Sequence, residues 1–294
     1  MLAVAYVISV CYYLNLFGAF ALSTVLPDSP TAGKLLISLV LVVIAVIGWT
    51  RGLRGLERAE SISVAIKLAV IAGLLGGMAQ FTWQLTGRGA LQSGGGHFSW
   101  DSLRLAFGLI ITVQGFETSR FLHEAYDADT RIRTMRRAQW LSTAIYLAYV
   151  AFAGLDFAAT SLPLKETAII GMMQPIATTL PILLVVAALA AQFSAAVADT
   201  NGCGGLTQEM TGGRFSSRLA YVVLAALALG LTWAADIYQI ISYASLGFAV
   251  YFALQCALAT RLSHDEESAP WRTAGFVLLT TLLAAAALLG IPAA

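Results

Sequence analysis

Charge is what this chain has least of. Asp, Glu, Lys and Arg make up 11% of its 294 residues, against about 25% in an ordinary soluble domain. That scarcity excludes a globular fold with a normal water-facing surface. No stretch between apolar runs is long enough to hold a separate soluble domain. Histidine and cysteine are sparse too, three of each. His97, His123 and His264 are scattered, with neither HExxH nor paired spacing, so a zinc site of known pattern is excluded. Cys11, Cys203 and Cys256 lack metal-ligand spacing and fall in or beside apolar helices, where cysteine packs as a small hydrophobe. The net charge of +1 gives no hint of nucleic-acid binding. There is no Gly-x-Ser-x-Gly nucleophile site. The glycines at 202, 204 and 205 follow no strand and precede no Gly-Lys-Ser/Thr, so they make no phosphate loop. Low-complexity sequence is confined to Gly94-Gly95-Gly96, which reads as a flexible turn. No enzyme, cofactor or metal is expected.

What is present is apolar sequence. Hydrophobic residues reach 59% and the mean hydropathy is +0.79. The chain divides into nine candidate membrane spans: 3–25, 35–50, 59–79, 99–125, 139–159, 179–200, 218–234, 237–260 and 272–290. The first has no basic leader and is long enough to span, so it reads as a span and not as a cleaved signal. Basic residues orient the set. With the first span starting in the cytoplasm, cytoplasmic segments hold Arg51, Arg54, Arg58, Arg131, Arg133, Arg136, Arg137, Arg214, Arg218, Arg261 and Arg272. External segments hold only Lys34, Arg88 and Lys165. This bias places the N-terminus inside and the C-terminus outside.

The stretch from Trp100 to Arg137 carries the chemistry. Its unbroken apolar run, Leu105 to Val113, covers roughly 14 Å, half of a hydrocarbon core of about 30 Å. To span, the helix must carry Gln114-Gly115-Phe116-Glu117 into or near the membrane. An intramembrane carboxylate reads as functional by default. Glycine beside it is where a helix can unwind and present backbone groups to a ligand. The plainer alternative is that Glu117 opens an exposed amphipathic turn.

Gly115-Phe116-Glu117, then Glu124-Ala125 and an Arg-rich loop, resembles helix 6 of the amino acid–polyamine–organocation (APC) superfamily of transporters. The segment RGLRGLERAESISVAIK, ending at Lys67, resembles that family's link between helices 4 and 5. The sequence departs from the pattern at Asp129-Thr130-Arg131, where members often carry a proline. The resemblance implies an all-α polytopic membrane protein with an incomplete inverted-repeat, LeuT-like fold. Residues 1–80 would be the remnant of the first repeat, helices 3 to 5. Residues 99–261 would be the second repeat, helices 6 to 10, and 271–291 an extra helix 11. Helices 1 and 2 would then be missing: the chain would be a fragment, a shortened gene product, or a protein whose missing helices a homo-oligomer or a partner chain supplies. The expected setting is a bacterial plasma (inner) membrane. The expected partners are a small-molecule amino acid or amine, a proton or cation, and the lipid bilayer, with no nucleic acid.

The resemblance assigns candidate sites. Gln114, Gly115, Phe116 and Glu117 would bind substrate through freed backbone groups, an aromatic cover and a carboxylate. Glycine at a close helix crossing is the structural alternative. Glu117 could also carry a proton, or pair with Arg120 three residues on. Lys67 lies about 13 Å along its helix from Arg58. In proton-coupled relatives a lysine there stands where sodium-coupled ones hold a cation; snorkelling is the alternative. Ser194 would help hold the cation or receive the Lys67 ammonium. Asp199, before Thr200-Asn201-Gly202, reads as a helix end. Ser242, Ala244, Ser245 and Gly247 read as close packing. The segment Leu162 to Thr179 forms either a short surface helix or an ordinary loop. Two function classes follow: a proton- or cation-driven secondary transporter of amino acids or amines, working by symport or antiport, and a non-transporting truncated paralogue that folds with, or regulates, another subunit.

Overall fold

Apolar sequence in lipid has to satisfy its backbone polar groups internally, and a helix does so within one segment. The computed structural model describes residues 1–23, 25–26, 29–52, 57–89, 98–122, 126–157, 165–265 and 270–291. All regular structure among the described residues is helical. The α-helices are α1 (Leu2–Leu22), α2 (Pro30–Arg51), α3 (Glu57–Gly87), α4 (Trp100–Gly108), α5 (Ala128–Asp156), α6 (Ala168–Met173), α7 (Leu180–Met210), α8 (Ser217–Ala234), α9 (Ile237–Asp265) and α10 (Pro270–Leu289). Eight of these are long and apolar enough to cross a membrane. The exceptions are α4 and α6. Of the nine spans expected, the one at 99–125 is not among the eight, and its residues 123–125 lie outside the described ones. After α4 the chain continues as two 3₁₀ segments, Ile110–Val113 and Phe116–Leu122. The chain is an all-α polytopic membrane protein.

Helix α1 is the hub. It packs against α2, α7, α8 and α9, and Tyr6, Val10, Cys11 and Leu14 are fully buried along it. Lipid is as apolar as leucine, so these contacts hold the bundle by close fit and not by escape from water. The expected tight stripe on α9 is real. Ala244 and Ser245 are buried, and a Cβ added to Gly247 would lie 3.3 Å from Ala5 Cβ. Tyr221 of α8 wedges its ring between Gly48 of α2 and Gly204 of α7. Helix α5 is the opposite case. None of its residues is buried, and Trp140, Leu141, Leu147 and Val150 face outward.

Two helix ends differ from the sequence reading. Helix α5 begins at Ala128, so Arg131, Arg133, Arg136 and Arg137 sit in its opening turns and not in a loop. The cause is a local cap. The Asp127 carboxylate accepts from Thr130 N–H at 2.7 Å and from Thr130 Oγ1 at 2.9 Å, which satisfies orphan donors at the helix start. Helix α7 continues ten residues beyond the expected end at 200, to Met210. Its glycines at 202 and 204 are helical and make room for the Tyr6 and Tyr221 rings. Of the segment 162–179, residues 168–173 form the short helix α6, whose Met173 packs with Leu74, Met78, Leu180 and Leu184. Glu124 and Ala125, quoted for the family resemblance, lie outside the described residues.

Candidate functional site

The break follows from its residues. Thr112 and Val113 are β-branched, Gln114 and Gly115 lie in no helix, and Gly115 takes φ +115°. That backbone region is costly for any residue with a Cβ. On both sides the hydrogen bonds tighten to i→i+3: Thr112 N–H donates to Leu109 O at 3.0 Å, and Thr118 N–H to Gly115 O at 3.3 Å. The Gly115 amide donates to Glu117 Oε2 at 3.0 Å, and Thr118 Oγ1 donates to Gly115 O at 2.6 Å. Glycine's own polar groups are therefore taken up by side chains of the same segment. The groups left over at the break belong to side chains. Glu117 Oε1 and Gln114 Oε1 are buried with no hydrogen-bond partner among the described residues.

Those atoms face a polar cluster inside the bundle. Asp199 of α7 is 3% exposed and accepts a short hydrogen bond from Ser9 Oγ of α1. The Gln114 amide donates to Tyr13 Oη and also lies within hydrogen-bonding reach of Asp199. Glu117 and Asp199 lie near each other and near Tyr6 and Tyr13 of α1. Tyr6 Oη is buried and has no partner among the described residues. Three elements therefore converge: α1 gives Tyr6, Ser9 and Tyr13, the break gives Gln114 and Glu117, and α7 gives Asp199. Sequence reading took Asp199 for a helix end and passed over Ser9, Tyr6 and Tyr13. The available signal was an acidic residue in an apolar helix with glycines beyond it.

Aromatic rings wall one side. Phe116 stacks on Phe252 of α9 with centroids 4.9 Å apart, Phe252 on Phe248 at 5.8 Å, and Phe248 meets Tyr6 edge-on at 6.1 Å. Phe116 itself is 39% exposed, so the outer ring of this ladder borders open space. Below the break the 3₁₀ segment is tied down twice. Arg120 Nη2 pairs with Glu209 Oε1 of α7 at 2.6 Å, and Arg131 Nη1 donates to Ser119 O at 3.2 Å and Arg120 O at 3.4 Å.

Lys67 and Ser194 sit at different levels. Ser63 Oγ of α3 donates to Ala190 O of α7, and Gly77 faces Ile176 and Leu180. The two helices therefore run antiparallel, with Lys67 level with Val186. Ser194 lies about two turns, roughly 12 Å, further along α7, buried.

Comparison with known proteins agrees with this architecture. A family model described as "APC superfamily transporter" matches residues 1–290. An uncharacterized protein of Aquifex aeolicus (strain VF5) is 35% identical over 268 residues, which cover 90% of this chain and 65% of that protein. The chain thus spans just under two thirds of the curated relative's length. A helix break at Gly115 within an all-helical bundle, together with a family match along nearly the whole length, leads to one conclusion: the chain belongs to the APC superfamily of transporters.

Proposed function

We propose that the protein acts in secondary active transport of amino acids or related amines, with Gln114, Gly115, Phe116 and Glu117 at the substrate and a proton as the driving ion. The observation that carries this reading is the break itself. It interrupts a membrane span between two acidic residues, Glu117 and Asp199, and beside the aromatic ladder that starts at Phe116. Broken helices inside a bundle are where transporters bind polar ligands, because only there does irregular backbone escape lipid. An ammonium group suits carboxylates, and an apolar side chain suits the Phe116 and Phe252 rings.

Lys67 is the proposed coupling residue. A lysine in a low-dielectric site changes its protonation readily, and its ammonium repels sodium from the same place. The two-repeat arrangement, with residues 1–80 in one repeat and 99–261 in the other, belongs to this reading. So do the cytoplasmic N-terminus and the external C-terminus, which rest on the Arg and Lys distribution, and a bacterial inner membrane as the setting. The test is uptake of radiolabelled amino acids and amines into proteoliposomes under separately imposed proton and sodium gradients. Uptake is expected to follow the proton gradient. Uptake that requires sodium and ignores pH would overturn the coupling, and no uptake under either gradient would overturn the transport reading.

A further inference from the structure

We propose that Asp199, held by Ser9 and faced by Glu117, forms with Glu117 a carboxylate pair that holds either one proton or the ammonium group of an amine, so that amine entry expels the proton. This deepens the reading above and rests on it. Asp199 belongs to none of the residues assigned to the substrate or the coupling ion.

The argument begins with acceptors. The fold buries the Asp199 carboxylate on α7 and, at the neighbouring break, Glu117 Oε1 and Gln114 Oε1, the last two without a partner among the described residues; Gln114 lies within hydrogen-bonding reach of Asp199. Hydroxyls of Ser9, Tyr6 and Tyr13 complete the surround. Two carboxylates with an oxygen left unpartnered suit a donor that carries positive charge. Among the described residues, the titratable and charged groups facing the pair are Tyr6 and Tyr13 from α1, Cys203 from α7, Tyr251 from α9 and Arg120 from the break. Arg120 has its guanidinium on Glu209. Lys67, on α3, is level with Val186, about three and a half turns along α7 from Asp199.

Two carboxylates in one buried site do not both ionise without a counter-charge. One proton shared between them leaves a single negative charge. When a primary ammonium arrives, its N–H groups donate to both carboxylates and to Gln114 Oε1. The acidic O–H bond breaks and its proton goes to water on the side that is open. Both carboxylates are then ionised beside one positive charge, so the site keeps the same net charge of minus one. Proton and amine thus exclude each other, which is the condition for exchange in opposite directions.

The test uses n-butylammonium as probe and n-butanol as its uncharged counterpart, with purified protein in weakly buffered detergent and a pH-sensitive dye. The wild type is expected to release one proton per ammonium bound and none with n-butanol. Its apparent Kd should fall about tenfold per unit rise in pH while the pair is protonated. An infrared band of a protonated carboxyl should bleach on binding. Asp199→Asn should abolish the release and the band. If that variant does not fold, Ser9→Ala, which removes the hydrogen bond to Asp199, should shift the pH at which release occurs. Phe116→Ala should weaken binding and leave the protons released per ligand unchanged. Binding that responds to Phe116→Ala but releases no proton overturns the exchange and leaves the substrate site standing. Binding indifferent to Phe116→Ala overturns both, as does no binding at all.

Discussion

Ser9 and Asp199, 190 positions apart, share a short buried hydrogen bond that joins the middle of α1 to the middle of α7. Ser9→Ala would leave a buried carboxylate with one donor fewer, a loss worth about 1–3 kcal/mol. The expected result is a lower Tm in detergent. Ser9→Ala and Asp199→Ala should also be less than additive, because each removes the same contact. Simple additivity would show that the two side chains do not act as a unit.

Gly115 holds φ +115° with nothing among the described residues within 4 Å of where a Cβ would sit. Gly115→Ala therefore tests the backbone alone. About 1–2 kcal/mol of strain is expected, relieved by partial rewinding of 110–118. Hydrogen exchange should slow at Phe116 and Thr118, and uptake should fall. Unchanged exchange and uptake would mean that the positive φ is dispensable.

Lys67→Ala is expected to abolish uptake driven by a proton gradient while leaving substrate binding partly intact, since Lys67 lies along α3 and away from the break. Lys67→Arg should fail as well, because arginine stays protonated. Proteoliposome uptake and equilibrium binding separate the two effects. A Lys67→Arg protein that still couples to protons would return Lys67 to the role of an anchoring side chain.

Asp127 caps α5 from outside the span, and the Thr130 N–H and hydroxyl hold its carboxyl below the usual carboxylate range. The folded state therefore favours the ionised form. Its contribution is complete above the unfolded pKa of about 3.9 and is lost as pH falls through the lower folded value. At neutral pH, Asp127→Ala should speed amide exchange at Thr130 and Arg131. At a pH below the carboxylate range, wild type and variant should exchange alike. A difference that persists in acid would mean that the cap acts through something other than its charge.

Gly204→Ala would put a Cβ 2.3 Å from Tyr221 Cε1, whereas Gly230→Ala meets nothing within 4 Å. Overpacking of this kind costs about 1–3 kcal/mol. A drop in Tm for the first variant and none for the second is expected. Equal melting would show that the Tyr221 ring moves aside freely.

Hydropathy and charge were enough to read the membrane class, the apolar spans and the break at Gly115. Each depends on neighbours in sequence: an apolar run of a given length, a glycine, an uneven scatter of arginine. The Asp127 cap was equally local, and the pattern Asp127-x-x-Thr130 contained it, although the Arg-rich segment read as a loop. Other features had no local trace. Asp199 stands before a run of small polar residues and glycines that resembles a helix end in one dimension. It is a mid-helix buried acid because α1 crosses α7 at Ser9 and because the Tyr6 and Tyr221 rings fill the space the glycines leave. Likewise, Arg120 reaches Glu209 and Lys67 stands level with Val186 through the angles and register at which helices cross. Spans are determined by the chain's own hydropathy. Partners across the bundle are determined by packing, which no window along the sequence contains.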